Sequence, residues 1–162
     1  MTLKEYKEKV KSKYGDSIEV LSRNPKGKRY ILVRNKYGVL RVRADYLLHT
    51  NKKLTISSAI NKTSYFMEKL KEKQRELYEM LTPLSEYRND STKMLFSTKY
   101  GVVAVTPGNL INGKIPSVRT ALDRVSYRKN QFLEVHGDKY EYNMVNGTGS
   151  EAIIQIKCLA HG

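Results

Sequence analysis

The pattern of hydrophobic and polar positions predicts a β-hairpin in the first third of the chain. Residues 30–33 form a short apolar run of β-prone residues, and residues 35–38 carry a turn signal that ends in glycine. In residues 39–43, Leu40 and Val42 fall on one face of the return strand, and Arg41 and Arg43 fall on the other. Gly38, like Gly101 later in the chain, is placed where a hairpin turn requires a positive φ.

This hairpin recurs in the second half of the chain. Residues 36–39 are repeated as residues 99–102, and apolar, small and basic positions continue to match in the same order through the helix that follows. The further matches include Val42 with Val105, residues 47–48 with 110–111, and residues 59–62 with 121–124. We interpret this similarity as an internal duplication. A fainter similarity, between residues 13–20 and 135–142, indicates a third copy that stops at its hairpin.

Helical periodicity follows each hairpin. From Thr55, apolar residues recur at a spacing near 3.5 residues and predict one long helix that ends before Pro83. From Ser117, an equivalent stripe predicts a helix that ends near Gly137. Thr55 and Ser117 are interpreted as the N-caps of these two helices.

The N-terminus adds one more helix, which Thr2 and Glu5 begin as a capping box. The predicted fold class is therefore α+β, with tandem β-hairpin/helix repeat units, an N-terminal helix and a partial third unit. The predicted boundaries are 1–82 for the first helix–hairpin–helix unit, 83–135 for the second hairpin–helix unit, and 136–162 for the partial third unit, a β-hairpin.

The sign of the charge narrows the function. The 162 residues include 30 Lys and Arg against 16 Asp and Glu, a net charge of +14 that favours a polyanionic partner. No stretch approaches the roughly 20 apolar residues that span a bilayer, and the N-terminus is too charged for a signal peptide. The single cysteine fits a reducing compartment. A cytoplasmic location, in the host if a phage encodes the protein, and no membrane partner are expected.

Basic residues concentrate on the predicted hairpins and helix starts, where they are suited to contact phosphates. Asn61 adds a polar group that is able to contact base edges. The predicted nucleic-acid-binding residues are Lys28, Arg29, Arg34, Lys36, Arg41, Arg43, Asn61, Lys62, Lys99, Lys114, Arg119, Arg124 and Arg128. Any single one is equally explained as a solvated charge or a helix cap. The prediction depends on their total excess and on their repetition at matched positions, such as Lys36 and Lys99.

Motifs for catalysis are missing from the sequence. There is no glycine-rich phosphate loop, the acidic residues are scattered, and the three histidines form no triad pattern. No catalytic residue, metal or cofactor is predicted. Cys158 and His161 have half the spacing of a zinc site and are interpreted as structural. A composite metal site is an open alternative, with the candidate ligands Asp16, Glu19, Asp138 and Glu141.

The C-terminal residues resemble a repeat that is widespread in phage and bacterial proteins. Residues 136–142 and 153–162 are similar to its usual form, roughly HGDKYDYS, a strand, then IxCPxHG, and residues 100–123 resemble the module that often precedes it. Such modules occur in homing-endonuclease-like proteins, where they are thought to supply DNA binding, sometimes beside a very-short-patch-repair-type nuclease domain. Leu159 replaces the usual proline, and no catalytic segment is expected within this chain. The resemblance implies DNA binding without zinc or cleavage.

We therefore predict a sequence-specific or structure-specific double-stranded DNA-binding protein, related to homing-endonuclease DNA-binding modules, non-catalytic, and encoded by a phage or mobile element. One alternative is a phage-encoded inhibitor or adaptor that binds a host nucleic-acid enzyme, such as a nuclease or a guide-RNA complex. A second is an RNA-binding protein whose tyrosines stack on bases. A third is a metal-dependent endonuclease.

Overall fold

The computed structural model describes residues 1–23, 29–51, 53–146 and 153–161. This part of the chain is a mixed α+β fold of six helices and three small antiparallel sheets. The predicted α+β class is therefore confirmed. Residue contacts divide the chain into two compact units, Met1–Glu72 and Lys73–Gly162. The boundaries expected after residues 82 and 135 stay predictions.

The first unit is built on a three-stranded sheet. Its elements are helix α1 (Leu3–Tyr14), strands β1 (Glu19–Arg23), β2 (Tyr30–Asn35) and β3 (Gly38–Arg43), and helices α2 (Ala44–His49) and α3 (Lys62–Lys73), whose last residue begins the second unit. The strands are antiparallel in the order β1-β2-β3. The predicted capping box is confirmed: the backbone N–H of Glu5 donates to Thr2 Oγ1, and that of Thr2 donates to Glu5 Oε2.

The inner face of this sheet forms the core of the first unit. Leu40 and Val42 are buried, while Arg41 and Arg43 are exposed, so the predicted alternation along β3 is confirmed. The buried cluster comprises Tyr6, Val10, Val20, Ile31, Val33, Leu40, Val42, Leu47, Ala59 and Tyr65. Tyr6 also donates a hydrogen bond to the carbonyl of Ala44 at 2.8 Å, and burial raises the pKa of its hydroxyl to about 12. The core therefore fixes which face of the sheet remains outside.

The long helix predicted from Thr55 is wrong in two places. Residues 56–58 form one 3₁₀ turn, and the backbone N–H of Ile60 then donates to the carbonyl of Val39 at 3.0 Å. The chain therefore follows the edge of β3 before α3 begins. Asn61, not Thr55, caps α3, because its Oδ1 accepts from the N–H of Ser64 at 2.9 Å. The helix is interrupted at Gln74, which has an extended φ of −142°.

The second unit contains two small sheets. Its elements are helix α4 (Arg75–Met80), strands β4 (Thr82–Pro83), β5 (Met94–Thr98) and β6 (Gly101–Val105), helices α5 (Pro107–Ile111) and α6 (Arg124–His136), and strands β7 (Tyr140–Asn146) and β8 (Ile153–Cys158). Strands β4-β5-β6 form one antiparallel sheet, and β7 pairs with β8 in the other. Ser117 caps a 3₁₀ turn, whereas the side chain of Asp123 caps α6, so the predicted N-cap was six residues early.

The two hairpins carry the same contacts at matched positions. Gly38 and Gly101 have φ values of 148° and 140°, which confirms the positive φ expected at both turns. The ring of Tyr37 lies edge-on to Tyr65 at 5.3 Å, and the ring of Tyr100 lies edge-on to Tyr127 at 5.4 Å. After each hairpin the chain forms an isolated bridge back to its edge, Leu40 with Ala59 and Val103 with Ala121. Within the described ranges, no helix has the length and apolar character to cross a membrane.

Candidate nucleic-acid interface

The positive charge is concentrated in the first unit. Residues 1–72 contain 18 of the 30 Lys and Arg residues but only 7 of the 16 Asp and Glu residues, which gives this unit a net charge of +11. The remaining residues carry the other +3. Because attraction to a polyanion increases with the local excess of positive charge, the first unit is the stronger candidate for a nucleic-acid interface.

Three of the predicted residues lie on the outer face of the β1-β2-β3 sheet. Across the β2-β3 ladder, Tyr30 is paired with Arg43, Leu32 with Arg41, and Arg34 with Val39. Side chains of directly opposed residues share a face, so this outer face presents Arg34, Arg41 and Arg43 together. All three arginines are exposed. We call this set the arginine face.

The three arginines differ in how far their charge is compensated. Arg34 lies 3.5 Å from Glu19, and the Nε of Arg43 donates to Asp45 at 3.1 Å. The hydrogen bond from Arg43 lowers the pKa of the Asp45 carboxyl. Arg41 has no carboxylate partner among the described residues; its guanidinium lies 4.6 Å from the ring centroid of Tyr30. Arg41 therefore offers the least compensated charge of this face.

A surface cleft of about 650 Å³ runs between the arginine face and the segment after α2. The segment contributes hydroxyl groups and one further amine. The cleft is lined by Tyr30, Arg41, Val42, Arg43, Tyr46, Leu47, Thr50, Lys53, Leu54, Thr55, Ser57 and Ser58. Guanidinium, ammonium and hydroxyl donors around one cleft suit a phosphate oxygen.

The second hairpin does not reproduce the arginine face. The repeat that aligns Val42 with Val105 places Ala104 at the position of Arg41 and Thr106 at the position of Arg43. Ser97 takes the place of Arg34. The buried positions of the hairpin are retained, since Phe96 and Val103 are fully buried in β5 and β6. What the two hairpins share is therefore the core, and what distinguishes the first is its outer face.

The lysines that repeat between the hairpins are ion-paired. Lys36 Nζ lies 2.7 Å from Glu72, and Lys99 Nζ lies 2.6 Å from Glu134. Each hydrogen bond raises the pKa of its lysine, and Lys99 lowers the pKa of Glu134. A lysine already paired with a carboxylate is a poorer phosphate ligand than a free one, whereas an arginine paired on one side, such as Arg43, keeps further N–H donors on its guanidinium. Each of these lysines thus joins the turn of its hairpin to the helix that follows, Lys36 to α3 and Lys99 to α6.

Of the other predicted residues in the first unit, Lys28 lies outside the described residues. Arg29 is exposed, and its carbonyl accepts from the N–H of Ala44 at 2.9 Å. Lys62 is exposed at the first position of α3. Asn61 uses its side-chain oxygen as the cap of that helix. A structural role thus accounts for Asn61, while Arg29 and Lys62 are exposed basic residues outside the arginine face.

In the second unit the predicted residues are dispersed. Lys114 and Arg119 are exposed on the loop and the 3₁₀ turn before α6. Arg124 donates to the carbonyl of Arg119 at 3.3 Å, and Arg128 donates to the side-chain oxygen of Gln131 at 3.1 Å. Arg124 thus contacts the turn before α6 and Arg128 a neighbour within α6, and the structure does not group the four side chains on a sheet face.

Lys13 has a structural role that the sequence did not reveal. Its Nζ donates to the carbonyls of Leu47, Leu48 and Thr50 at 3.3, 2.9 and 2.9 Å. These carbonyls lie at the C-terminal end of α2, where the helix dipole favours a cation. No sequence signal links α1 to the end of a six-residue helix, so Lys13 was indistinguishable from its exposed neighbours.

Replacing Lys13 by methionine is expected to lower the free energy of unfolding by about 1 kcal/mol, because the carbonyls at the end of α2 lose a charged donor. Urea denaturation followed by circular dichroism measures this change. Lys9, exposed on the same helix, is the control, and Lys9→Met should change the stability by less than about 0.5 kcal/mol. Equal effects of the two substitutions would contradict the capping role.

Cys158 and His161 approach each other at the end of β8. The Cys158 Sγ lies 3.3 Å from His161 Nδ1, as a hydrogen-bonded pair in a turn. Among the described residues, no three His, Cys, Asp or Glu side chains are grouped so as to hold a metal ion.

No protein-family model, curated protein or solved structure matches this chain. The charge and geometry of its two units therefore carry the functional proposal.

Proposed function

We propose that the protein binds double-stranded DNA through the arginine face of its first unit, without catalysing a reaction. The observation that carries this proposal is that Arg34, Arg41 and Arg43 lie together on one exposed face of the sheet. Among the described residues, Arg41 has no carboxylate partner, whereas Arg34 and Arg43 each have one. Arginine suits this role because its planar guanidinium binds phosphate oxygens in pairs and also reaches base edges.

The regular strand surface that carries the arginines supports duplex DNA as the ligand. The major groove, about 12 Å wide, admits a two-stranded β-ribbon. Here β2 and β3 belong to a three-stranded sheet, and proteins also place the strands of such sheets in a groove of DNA. The β2-β3 pairing runs without a register shift from Tyr30 to Asn35, so it presents the arginines on one regular surface. Its core face is anchored in the first unit, so only the arginine face is available to the DNA.

We further propose that the two units are copies of one module, of which the second keeps the fold and lacks the arginine face. The matched ring pairs, bridges and Lys–Glu ion pairs support this view. The likeness of residues 136–162 to repeats of homing-endonuclease-associated proteins also supports a DNA ligand. In this proposal the protein acts in the cytoplasm, where its one cysteine stays reduced.

Fluorescence anisotropy of the full chain against duplex DNA, single-stranded DNA and duplex RNA tests the proposal. We expect the tightest binding to duplex DNA, with a log–log salt slope of about −3 for three phosphate contacts. Tighter binding to duplex RNA would replace DNA by RNA as the ligand. Negligible binding of folded protein to all three would overturn the proposal and favour a protein partner, such as a host nucleic-acid enzyme that the chain inhibits.

A further inference from the structure

Building on the proposed DNA binding, we infer that the cleft beside β3 holds one unpaired nucleotide of the bound DNA. Its base would stack against the exposed tyrosines of the cleft, and its phosphate would contact Arg41 and Arg43. The ligand is thus DNA that carries a bulged or extruded base, a narrower class than duplex DNA in general.

The cleft contains an alternating series of arginine and tyrosine side chains. The guanidinium of Arg41 lies 4.6 Å from the ring centroid of Tyr30, and that of Arg43 lies 5.0 Å from the centroid of Tyr46. Tyr30 and Arg43 are directly paired across the β2-β3 ladder, which joins the two contacts into one series. Each ring is held by a cation, yet Tyr30 and Tyr46 are still 37% and 41% exposed.

Exposed aromatic rings next to cations are suited to unpaired bases. A base inside a duplex is stacked on both sides, so it has no face left for a tyrosine. An unpaired base has both faces available, and aromatic and guanidinium planes are the surfaces on which proteins stack such bases. The rings in this cleft therefore fit an extruded base better than an intact base pair.

The size and lining of the cleft agree with one nucleotide. Its volume of about 650 Å³ lies within the range of about 300–1,000 Å³ that holds small organic ligands. Beyond the Arg–Tyr series, Lys53, Thr50 and Ser57 line it with donors for phosphate and sugar oxygens.

The second unit lacks the whole series. The positions matched to Tyr30, Arg41, Arg43 and Tyr46 are Lys93, Ala104, Thr106 and Asn109. Both tyrosines and both arginines are thus absent together, while Leu110, matched to Leu47, is fully buried. The fold of the module does not require these four side chains, so their presence in the first unit points to a ligand.

The test compares two duplexes of the same sequence, one fully paired and one with a single unpaired adenine in its centre. Anisotropy at one salt concentration is expected to show about tenfold tighter binding of the bulged duplex by the full chain, since stacking on an aromatic ring has this order of effect. Replacing the bulged adenine by 2-aminopurine should give quenched fluorescence on binding. Equal affinities, or an unquenched probe, would overturn the inference and leave the proposed duplex binding standing.

Two variants separate stacking from other effects. Tyr30→Leu with Tyr46→Leu should bring the ratio of the affinities for the bulged and the paired duplex from about ten to about one. Tyr30→Phe with Tyr46→Phe keeps both rings and should retain the preference. If the leucine variant fails to fold, the phenylalanine variant and the 2-aminopurine signal still decide the question. A preference that survives loss of both rings overturns the inference.

A free nucleotide is the other source of the same chemistry. Competition with AMP distinguishes the two, because the inference expects no displacement of the bulged duplex at micromolar AMP. Displacement in that range would assign the cleft to free nucleotides and overturn the inference. Absence of binding to either duplex would overturn the proposed DNA binding as well.

Discussion

Replacing Arg41 and Arg43 together by alanine is expected to weaken duplex DNA binding by about 100-fold, because each charged contact to phosphate contributes on the order of 1.5 kcal/mol. The log–log salt slope should become shallower by about 2, one for each lost phosphate contact. The fold should tolerate the change, since both side chains are exposed and the ion pair of Arg43 with Asp45 is partly solvated. Anisotropy titrations at several salt concentrations give both quantities.

The matched control removes the same charge from the second unit. The control carries Lys114→Ala and Arg119→Ala, which remove two exposed basic residues that the sequence also predicted to bind nucleic acid. We expect less than about a threefold loss of affinity from this pair, because neither residue belongs to the arginine face and exposed charges are screened at physiological salt. Equal losses from the two double variants would mean that net charge, and not the arginine face, determines binding. A loss confined to the second pair would move the interface to the second unit.

Local pattern was sufficient to predict the hairpins. The period-two alternation of residues 39–43 placed Leu40 in the core and Arg41 outside, and the structure agrees. The turn glycines could be predicted because each ends a turn signal, and the residue that follows the two connecting residues adopts a positive φ that favours glycine. The capping box at Thr2 is equally local, since its two hydrogen bonds join residues three apart.

The helices that follow the hairpins depended on tertiary contacts. The apolar spacing from Thr55 was compatible with one helix, but the backbone N–H of Ile60 donates a hydrogen bond to Val39 at the edge of β3. Ile60, counted as part of an apolar stripe, is consequently 60% exposed. Helix α2 has six residues, too few to show a helical period. Helix α5 had usable signals that were missed, with Thr106 as its N-cap and Pro107 at its first position.

In the candidate site, too, local sequence predicted some features, and others depended on tertiary contacts. Counting basic residues identified the arginine face, but it could not separate Arg41 from Lys36. That distinction depends on Glu72, which lies 36 residues from Lys36 in sequence and 2.7 Å from it in space. The sequence did not single out Tyr30 and Tyr46, because tyrosine in strands and helices is usually half-buried, and only the fold shows which rings remain exposed beside arginines.

Replacing Leu40 by alanine is expected to lower the free energy of unfolding by about 2–5 kcal/mol, the usual cost of a cavity at a fully buried leucine. Leu40 is fully buried, opposite Val33 in the ladder and bridged to Ala59. Because a small domain has only about 5–15 kcal/mol of stability, the variant should unfold at markedly lower urea. Leu40→Met conserves volume and should cost less than about 1.5 kcal/mol.

This substitution also links the core of β3 to the arginine face, which occupies alternate positions on the same strand. If DNA binds only the folded sheet, a duplex at 100 times its dissociation constant should restore about 2.7 kcal/mol to the Leu40→Ala variant. Urea denaturation with and without DNA measures the restoration, and the Arg41→Ala, Arg43→Ala variant at the same DNA concentration should show much less. Restoration of equal size in both variants would mean that the DNA contacts lie outside the arginine face. Absence of restoration in Leu40→Ala would mean that the bound DNA does not depend on the fold of β3.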